Sequence, residues 1–181
     1  MKKLNTYLVS LLCVAPLSSF AADGDITFTG KVTASACTLK GFNGMASTSS
    51  LMALTTVSPE SFNGAGGYAG MKDFTIDLQD CDITTMKNAR VAFSGTPDTL
   101  DNEILKNTET NGPADGVGVA ILENDGATLV DINGGIPSHS QALSAGDTEL
   151  KFKVAYKANS ATPAVTPGNV KAKTFVDITY N

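Results

Sequence analysis

From Asp25 to the C-terminus, apolar side chains recur at every second position in short blocks separated by Gly, Asn, Asp, Pro and Ser. A two-residue period puts alternate side chains on opposite faces of an extended backbone, so the pattern predicts half-buried β-strands. The clearest block holds Leu150, Phe152, Val154 and Tyr156 on one face and Lys151, Lys153 and Lys157 on the other. Phe74, Ile76 and Leu78 alternate with Thr75, Asp77 and Gln79 and lead to Cys81. Val91 and Phe93 make a shorter strand, and Val117, Val119 and Ile121 alternate with Gly118 and Ala120. Asn124-Asp125-Gly126 supplies a hairpin turn ahead of Leu129 and Ile132. Val176, Ile178 and Tyr180 alternate with Asp177 and Thr179 to the end of the chain.

Stretches 43–50, 58–70, 107–116 and 163–168 are rich in small and turn-forming residues and read as loops. Only 99–106 carries a faint helical signal. Six or more short strands with turn signals between them, and no linker or fixed-period repeat, predict an all-β fold: one β-sandwich domain.

The first residues follow a different rule. Lys2 and Lys3 precede an apolar run from Tyr7 to Leu17, and Ser19-Phe20-Ala21 puts small residues where a signal peptidase reads. This is the pattern of a secretory leader over 1–21, with Ala22 as the mature start. Cleavage one residue later would place bulky Phe20 at the −3 position. The run is shorter than the ~20 residues that cross a bilayer, and Leu12 rather than a small residue precedes Cys13, which disfavours a lipoprotein.

Export changes the reading of the cysteines. Cys13 leaves with the leader, so Cys37 and Cys81, 44 positions apart, remain in an oxidising compartment. One disulfide between them is expected, stabilising the fold by roughly 4 kcal/mol in the chain-entropy picture. Two buried free thiols are the alternative.

Composition narrows the chemistry. The 181-residue chain has 13 Lys+Arg against 18 Asp+Glu, for a formal charge of −5, and loss of Lys2 and Lys3 takes it to −7. With Arg90 as the only arginine, a nucleic-acid groove is excluded, because phosphate neutralisation and base reading draw on clustered Arg and Lys. A single histidine, His139, leaves little for a triad or metal site, and between Ser138 and Ser140 it reads as a solvated loop residue. Gly64-Ala65-Gly66-Gly67 lacks the strand, helix and Gly-Lys-Ser that a phosphate loop needs, and reads as a plain loop. Asp80 and Asp82 flank Cys81; calcium binding or acid–base work is conceivable for such a pair, but a solvated strand end accounts for them more simply. The lysines of 151–157 read as a solubilising face that discourages edge pairing. No cofactor, metal site or catalysis is expected.

The segment from Asp25 to Ser35 leaves two readings open. Ile26, Phe28, Gly30, Val32 and Ala34 share one face and Asp25, Thr27, Thr29, Lys31, Thr33 and Ser35 the other. It suits an ordinary first strand of the sandwich, or an arm that completes another molecule by strand addition.

Taken in order, Gly-Asp-Ile-Thr-Phe-Thr-Gly-Lys-Val (24–32) before Cys37, Phe-Thr-Ile-Asp-Leu-Gln-Asp-Cys (74–81), Val-Ala-Phe-Ser-Gly-Thr (91–96), Gly-Val-Gly-Val-Ala-Ile (116–121), Leu-Lys-Phe-Lys-Val-Ala-Tyr (150–156) and the terminal Ile-Thr-Tyr-Asn (178–181) resemble the type 1 family of fimbrial pilins built by the chaperone-usher pathway. Phe175, outward on the last strand, and the Gly/Ser-rich 40–70 region depart from that pattern.

The resemblance implies an incomplete immunoglobulin-like sandwich lacking its last strand, completed by a donor strand from a neighbouring subunit. It divides the chain into a leader (1–21), a donor-strand extension (22–36) and a pilin domain (37–181). It makes Ile26, Phe28, Gly30, Val32 and Ala34 the donor strand, with Gly30 where the groove is shallow. Val176, Ile178 and Tyr180 then line the accepting edge, and the Asn181 carboxylate is the group a periplasmic chaperone anchors. The implied partners are like subunits, the chaperone and an outer-membrane usher, and the implied location is a surface fimbria reached through the periplasm. A major shaft subunit is expected over a minor adaptor, since one domain carries both arm and groove. The rivals are a self-complete secreted sandwich that binds a host or envelope ligand, and a hydrolase built on Asp80 and Asp82.

Overall fold

Among the described residues the alternating blocks become eight strands: β1 (Thr38–Phe42), β2 (Tyr68–Cys81), β3 (Asn88–Gly95), β4 (Leu105–Lys106), β5 (Val117–Glu123), β6 (Gln141–Ala142), β7 (Gly146–Ala158) and β8 (Thr174–Tyr180). They form a five-stranded sheet in the order β1-β2-β7-β5-β4 and a three-stranded sheet in the order β6-β3-β8. Every pairing between strands is antiparallel. The computed structural model describes Thr29, residues 36–160 and residues 164–181; the leader and the arm residues Ile26, Phe28, Gly30, Val32 and Ala34 lie outside them.

Two sheets hydrophobic on one face each bury those faces against one another. Phe74 of β2 and Phe152 of β7 stack with centroids 5.6 Å apart, and Phe93 of β3 meets them edge-on at 6.3 and 5.1 Å. Edge-to-face and offset arrangements are those the ring quadrupole favours. Ile76, Leu150 and Phe152 are completely buried, and Leu78 nearly so.

The structure corrects three sequence expectations. β2 begins at Tyr68, inside the stretch read as a loop, because Tyr68 and Ala69 pair with Lys157 and Tyr156 before a bulge at Gly70, whose φ is +62°. Residues 99–106 form a turn and β4 rather than a helix. The Asp98 carboxylate accepts from the Leu100 and Asp101 amides at 2.9 and 3.3 Å, giving the backbone a local alternative to helical bonding. That turn carries Ile104 onto the outer face of β5 and β7, where it makes a second small core with Ala120, Leu122 and Ala155. Lys157, expected on a solvent face, is consequently buried beneath the turn, with its ammonium 2.7 Å from the Asp101 carboxylate. The hairpin turn forms at Asn124–Gly126, but Leu129 beyond it makes only an isolated bridge to Leu122.

Candidate functional site

β8 ends the smaller sheet: it pairs with β3 on one side and has no strand on the other among the described residues. From Val170 to Tyr180 its exposure alternates without a break. Lys171, Lys173, Phe175, Asp177 and Thr179 are exposed, while Val170, Ala172, Thr174, Val176, Ile178 and Tyr180 are only half-buried. The neighbouring strand sets the standard of comparison, since Ala89, Val91 and Phe93 on the inner face of β3 are each 1% exposed. An inward apolar face on β8 is therefore left partly uncovered.

The uncovered face opens into a cleft of about 1050 Å³. Its floor is the core itself, with Phe74, Phe93, Val119, Ile121 and Val154 reaching it. One wall is 165–177, including Val170, Ala172 and Val176. The other is Leu39 and Phe42 of β1 followed by 48–62, from which Met52, Leu54 and Phe62 are half-buried. Residues 50–57 of this second wall make no backbone–backbone hydrogen bond among the described residues. The Lys72 ammonium anchors the segment, donating to the Ala53 carbonyl at 2.9 Å. Among the described residues, the cleft thus runs between a strand edge and an extended segment that are each without a strand partner, over an apolar floor. Main-chain groups along such an edge can take a further hydrogen-bond partner, and an added strand could pair with both walls while filling the floor.

The second wall is placed by a bend at the end of β1. Gly44 N–H donates to the Asp77 carboxylate, and the Thr75 N–H donates to Asn43 Oδ1 at 3.0 Å. Gly41 permits the bend, because a Cβ there would lie 1.8 Å from the Met45 carbonyl oxygen. Met52, Leu54 and Phe62 belong to the Gly/Ser-rich stretch and were not among the expected site residues. The signal that could have found them is the Met52-Ala53-Leu54 alternation, just as Val170-Lys171-Ala172 continues the β8 pattern upstream.

Of the expected accepting residues, Val176 lines the cleft, whereas Ile178 and Tyr180 lie farther along the same face and pack against the core. Tyr180 donates its phenol to the Cys37 carbonyl at 3.4 Å. The C-terminal Asn181 main-chain oxygen accepts from the Lys87 and Asn88 amides, each at 2.9 Å. Phe175 points outward, 61% exposed, with the Lys173 ammonium 4.6 Å from its ring centroid. Cys37 and Cys81 are joined as a disulfide, tying the residue before β1 to the last residue of β2.

The other candidates come to little. Asp80 adopts a φ of +54° at an irregularity of β2, and Asp82 is exposed, its pKa held below the ordinary range by the Thr84 hydroxyl and then by the Thr84 amide, which donates to its carboxylate at 2.9 Å. His139 has an exposed imidazole with Nδ1 3.9 Å from the buried Glu123 carboxylate. Among the described residues no group of three or more His, Cys, Asp or Glu is arranged to hold a metal.

Comparison with known proteins gives one consistent result. The sequence model of a family described as fimbrial protein matches residues 26–181. The chain is 36% identical over 183 residues to the probable major fimbrial subunit LpfA of Escherichia coli O157:H7, an alignment spanning 99% of this chain and 97% of that one. Among solved structures, the P pilus rod subunit PapA superposes with a TM-score of 0.63 at 20% identity, covering 81% of this chain and 100% of that one. A subunit from a chaperone-usher pilus superposes with a TM-score of 0.64 at 23% identity, covering 92% and 100%. The sandwich is therefore the immunoglobulin-like pilin fold.

Proposed function

This chain belongs to the fimbrial protein family, and from that premise we propose that it is a structural subunit of a surface fimbria, polymerised by donor-strand exchange through the cleft beside β8. Its role in the fibre is that of a shaft subunit, in keeping with the major-subunit relative and the rod-subunit fold. The observation that carries the reading is the contrast between the inner faces of β3, 1% exposed, and β8, half-open along its whole length.

In this reading residues 1–21 direct export, and the arm of one subunit, Ile26 to Ala34, enters the cleft of the next. Burying Ile26, Phe28 and Val32 contributes roughly 1.5 to 3 kcal/mol each, and each main-chain hydrogen bond to the cleft walls adds about 0.5 to 1.5. A total on the order of 10 kcal/mol, gained by a strand that also finishes the core, makes the joint slow to open. Before assembly a periplasmic chaperone covers the same cleft, with the Asn181 carboxylate as its anchor, and an outer-membrane usher exchanges the chaperone for the next arm. The work of such a subunit is mechanical and adhesive, and the proposal assigns it no reaction.

The test is a paired yield for Gly30→Lys. If the arm serves a neighbour, the subunit still accumulates as a chaperone complex while fibres are lost, because a side chain at Gly30 obstructs insertion without touching the subunit's own core. Normal fibres would overturn the assignment of the arm. Loss of the folded subunit itself would return 26–34 to the subunit's own sheet.

A further inference from the structure

The sequence contains four Asn-Gly pairs, at 43–44, 63–64, 111–112 and 133–134. Glycine after asparagine leaves the following amide nitrogen sterically free to attack the side-chain carboxamide, so each pair is a chemical candidate for spontaneous deamidation. The fold treats the four differently. Asn43 Oδ1 is held by the Thr75 amide, and Gly44 N–H, the would-be nucleophile, is held by the Asp77 carboxylate. Asn133 donates its carboxamide to Asp131 Oδ1 at 2.9 Å and to the Asn102 carbonyl at 3.4 Å. At Asn63 the carboxamide is unbonded, but Gly64 N–H donates to the Phe62 carbonyl at 2.9 Å. Asn111 alone, among the described residues, combines an exposed carboxamide without a hydrogen bond and a following N–H without one.

We propose that Asn111 is a self-modifying site, converted by cyclisation onto Gly112 and hydrolysis to aspartate and isoaspartate. The Gly112 nitrogen bonds to Asn111 Cγ, the Cγ–Nδ2 bond breaks, and the amide proton leaves with the nitrogen as ammonia, closing a succinimide. Water then adds to either ring carbonyl and opens the ring. No oxidation or second reactant is involved.

The position gives the change a consequence. Asn169 donates its carboxamide to the Asn111 carbonyl at 2.8 Å and its amide to the Gly112 carbonyl at 2.7 Å, and its own carbonyl accepts from Ala114 N–H at 2.9 Å. These bonds fasten 111–114 to the stretch that leads into Val170 and the cleft wall. Isoaspartate inserts a methylene into the main chain at that seam and turns the Asn111 carbonyl into a free carboxylate beside Glu109, whose Oε1 already accepts from the Thr110 and Asn111 amides. Age therefore loosens one end of the cleft.

The experiment is incubation of the folded, exported chain at mildly alkaline pH and body temperature, followed by digestion at acidic pH and mass spectrometry that separates aspartate from isoaspartate. The same chain held in denaturant serves as reference. Folded protein should gain product at position 111 roughly tenfold faster than at 43, 63 or 133, the factor set by a hydrogen bond that must first open. In denaturant the four sites should convert at comparable rates, and Asn111→Gln should remove the fast product while leaving the slow ones. Conversion led by any other pair in the folded chain, or no preference between folded and denatured protein, overturns the proposal.

Discussion

Lys157 and Asp101 form an ion pair beneath the 98–104 turn, Nζ to Oδ2 2.7 Å, with side chains 11% and 16% exposed. The pair is the polar pin of the second small core. Removing one partner leaves the other charge with little water, which costs more than the pair itself contributes. Asp101→Asn is expected to lower stability by about 2 to 4 kcal/mol, and the double variant Lys157→Met with Asp101→Leu should regain most of it. Urea unfolding of the single and double variants reads the coupling directly; additive losses would show that the two residues act independently.

Gly95 pairs with Thr174 where β3 meets β8, and an added Cβ would lie 2.7 Å from the Lys173 carbonyl oxygen and 2.3 Å from Leu105 Cδ2. The carbonyl belongs to backbone and cannot step aside cheaply, so Gly95→Ala should cost about 1 to 3 kcal/mol and disturb the accepting edge. Gly135→Ala is the control, because its nearest neighbour is Asp131 Oδ2 at an ordinary 3.5 Å; thermal unfolding should place it within about 0.5 kcal/mol of the parent.

Asp125 carries a pH dependence whose sign is fixed by its partners. Amide donation from Thr128 and Ala127, with the Thr128 hydroxyl, lowers its pKa from 3.8 to about 2. The carboxylate form is the one the turn holds, so its stabilisation is fully present above pH 3.8 and disappears as pH falls through about 2. Asp125→Asn should flatten the stability profile across that acidic window and lower stability at neutral pH, where the carboxylate's contribution is fully present, while the two proteins converge as pH falls through about 2. Carboxyl NMR titration showing an ordinary midpoint for Asp125 would refute the assignment.

Removing the disulfide with Cys37→Ser and Cys81→Ser should lower stability by roughly 4 kcal/mol, since the bridge closes a long segment of chain. The reduced parent should match the double variant in denaturant midpoint. A midpoint equal to that of the oxidised chain would mean that the bridge adds nothing to stability.

Period-two alternation was enough to find the strands around Phe74, Val91, Val119, Phe152 and Val176, because each has a core on one side and a neighbour strand beside it. It failed at Lys157, whose burial depends on a turn more than fifty residues away in the chain folding over the sheet. The faint helix at 99–106 failed for the same reason seen from the other side: Asp98 and Asp101 bind nearby amides, and Ile104 has a place to go only once β5 and β7 are paired. The accepting face of β8 is an expectation of the family resemblance alone, since alternation cannot say whether an inward face is covered. The 48–62 wall was hard to read because, beyond the short Met52-Ala53-Leu54 alternation, its apolar residues are interrupted by serine, threonine, proline and glutamate, and they acquire a common direction only from the Gly41–Asp77 bend.

The bridge between Cys37 and Cys81 also decides how the subunit carries load. Any pull on the chain preceding Cys37 arrives at a residue covalently tied to the end of β2, the strand most extensively paired with β7. Without the bridge, that pull would open the short β1–β2 ladder one rung at a time from Thr38 and Gln79. With it, β1 is bypassed, and tension passes through the covalent bridge to β2 and its long pairing with β7.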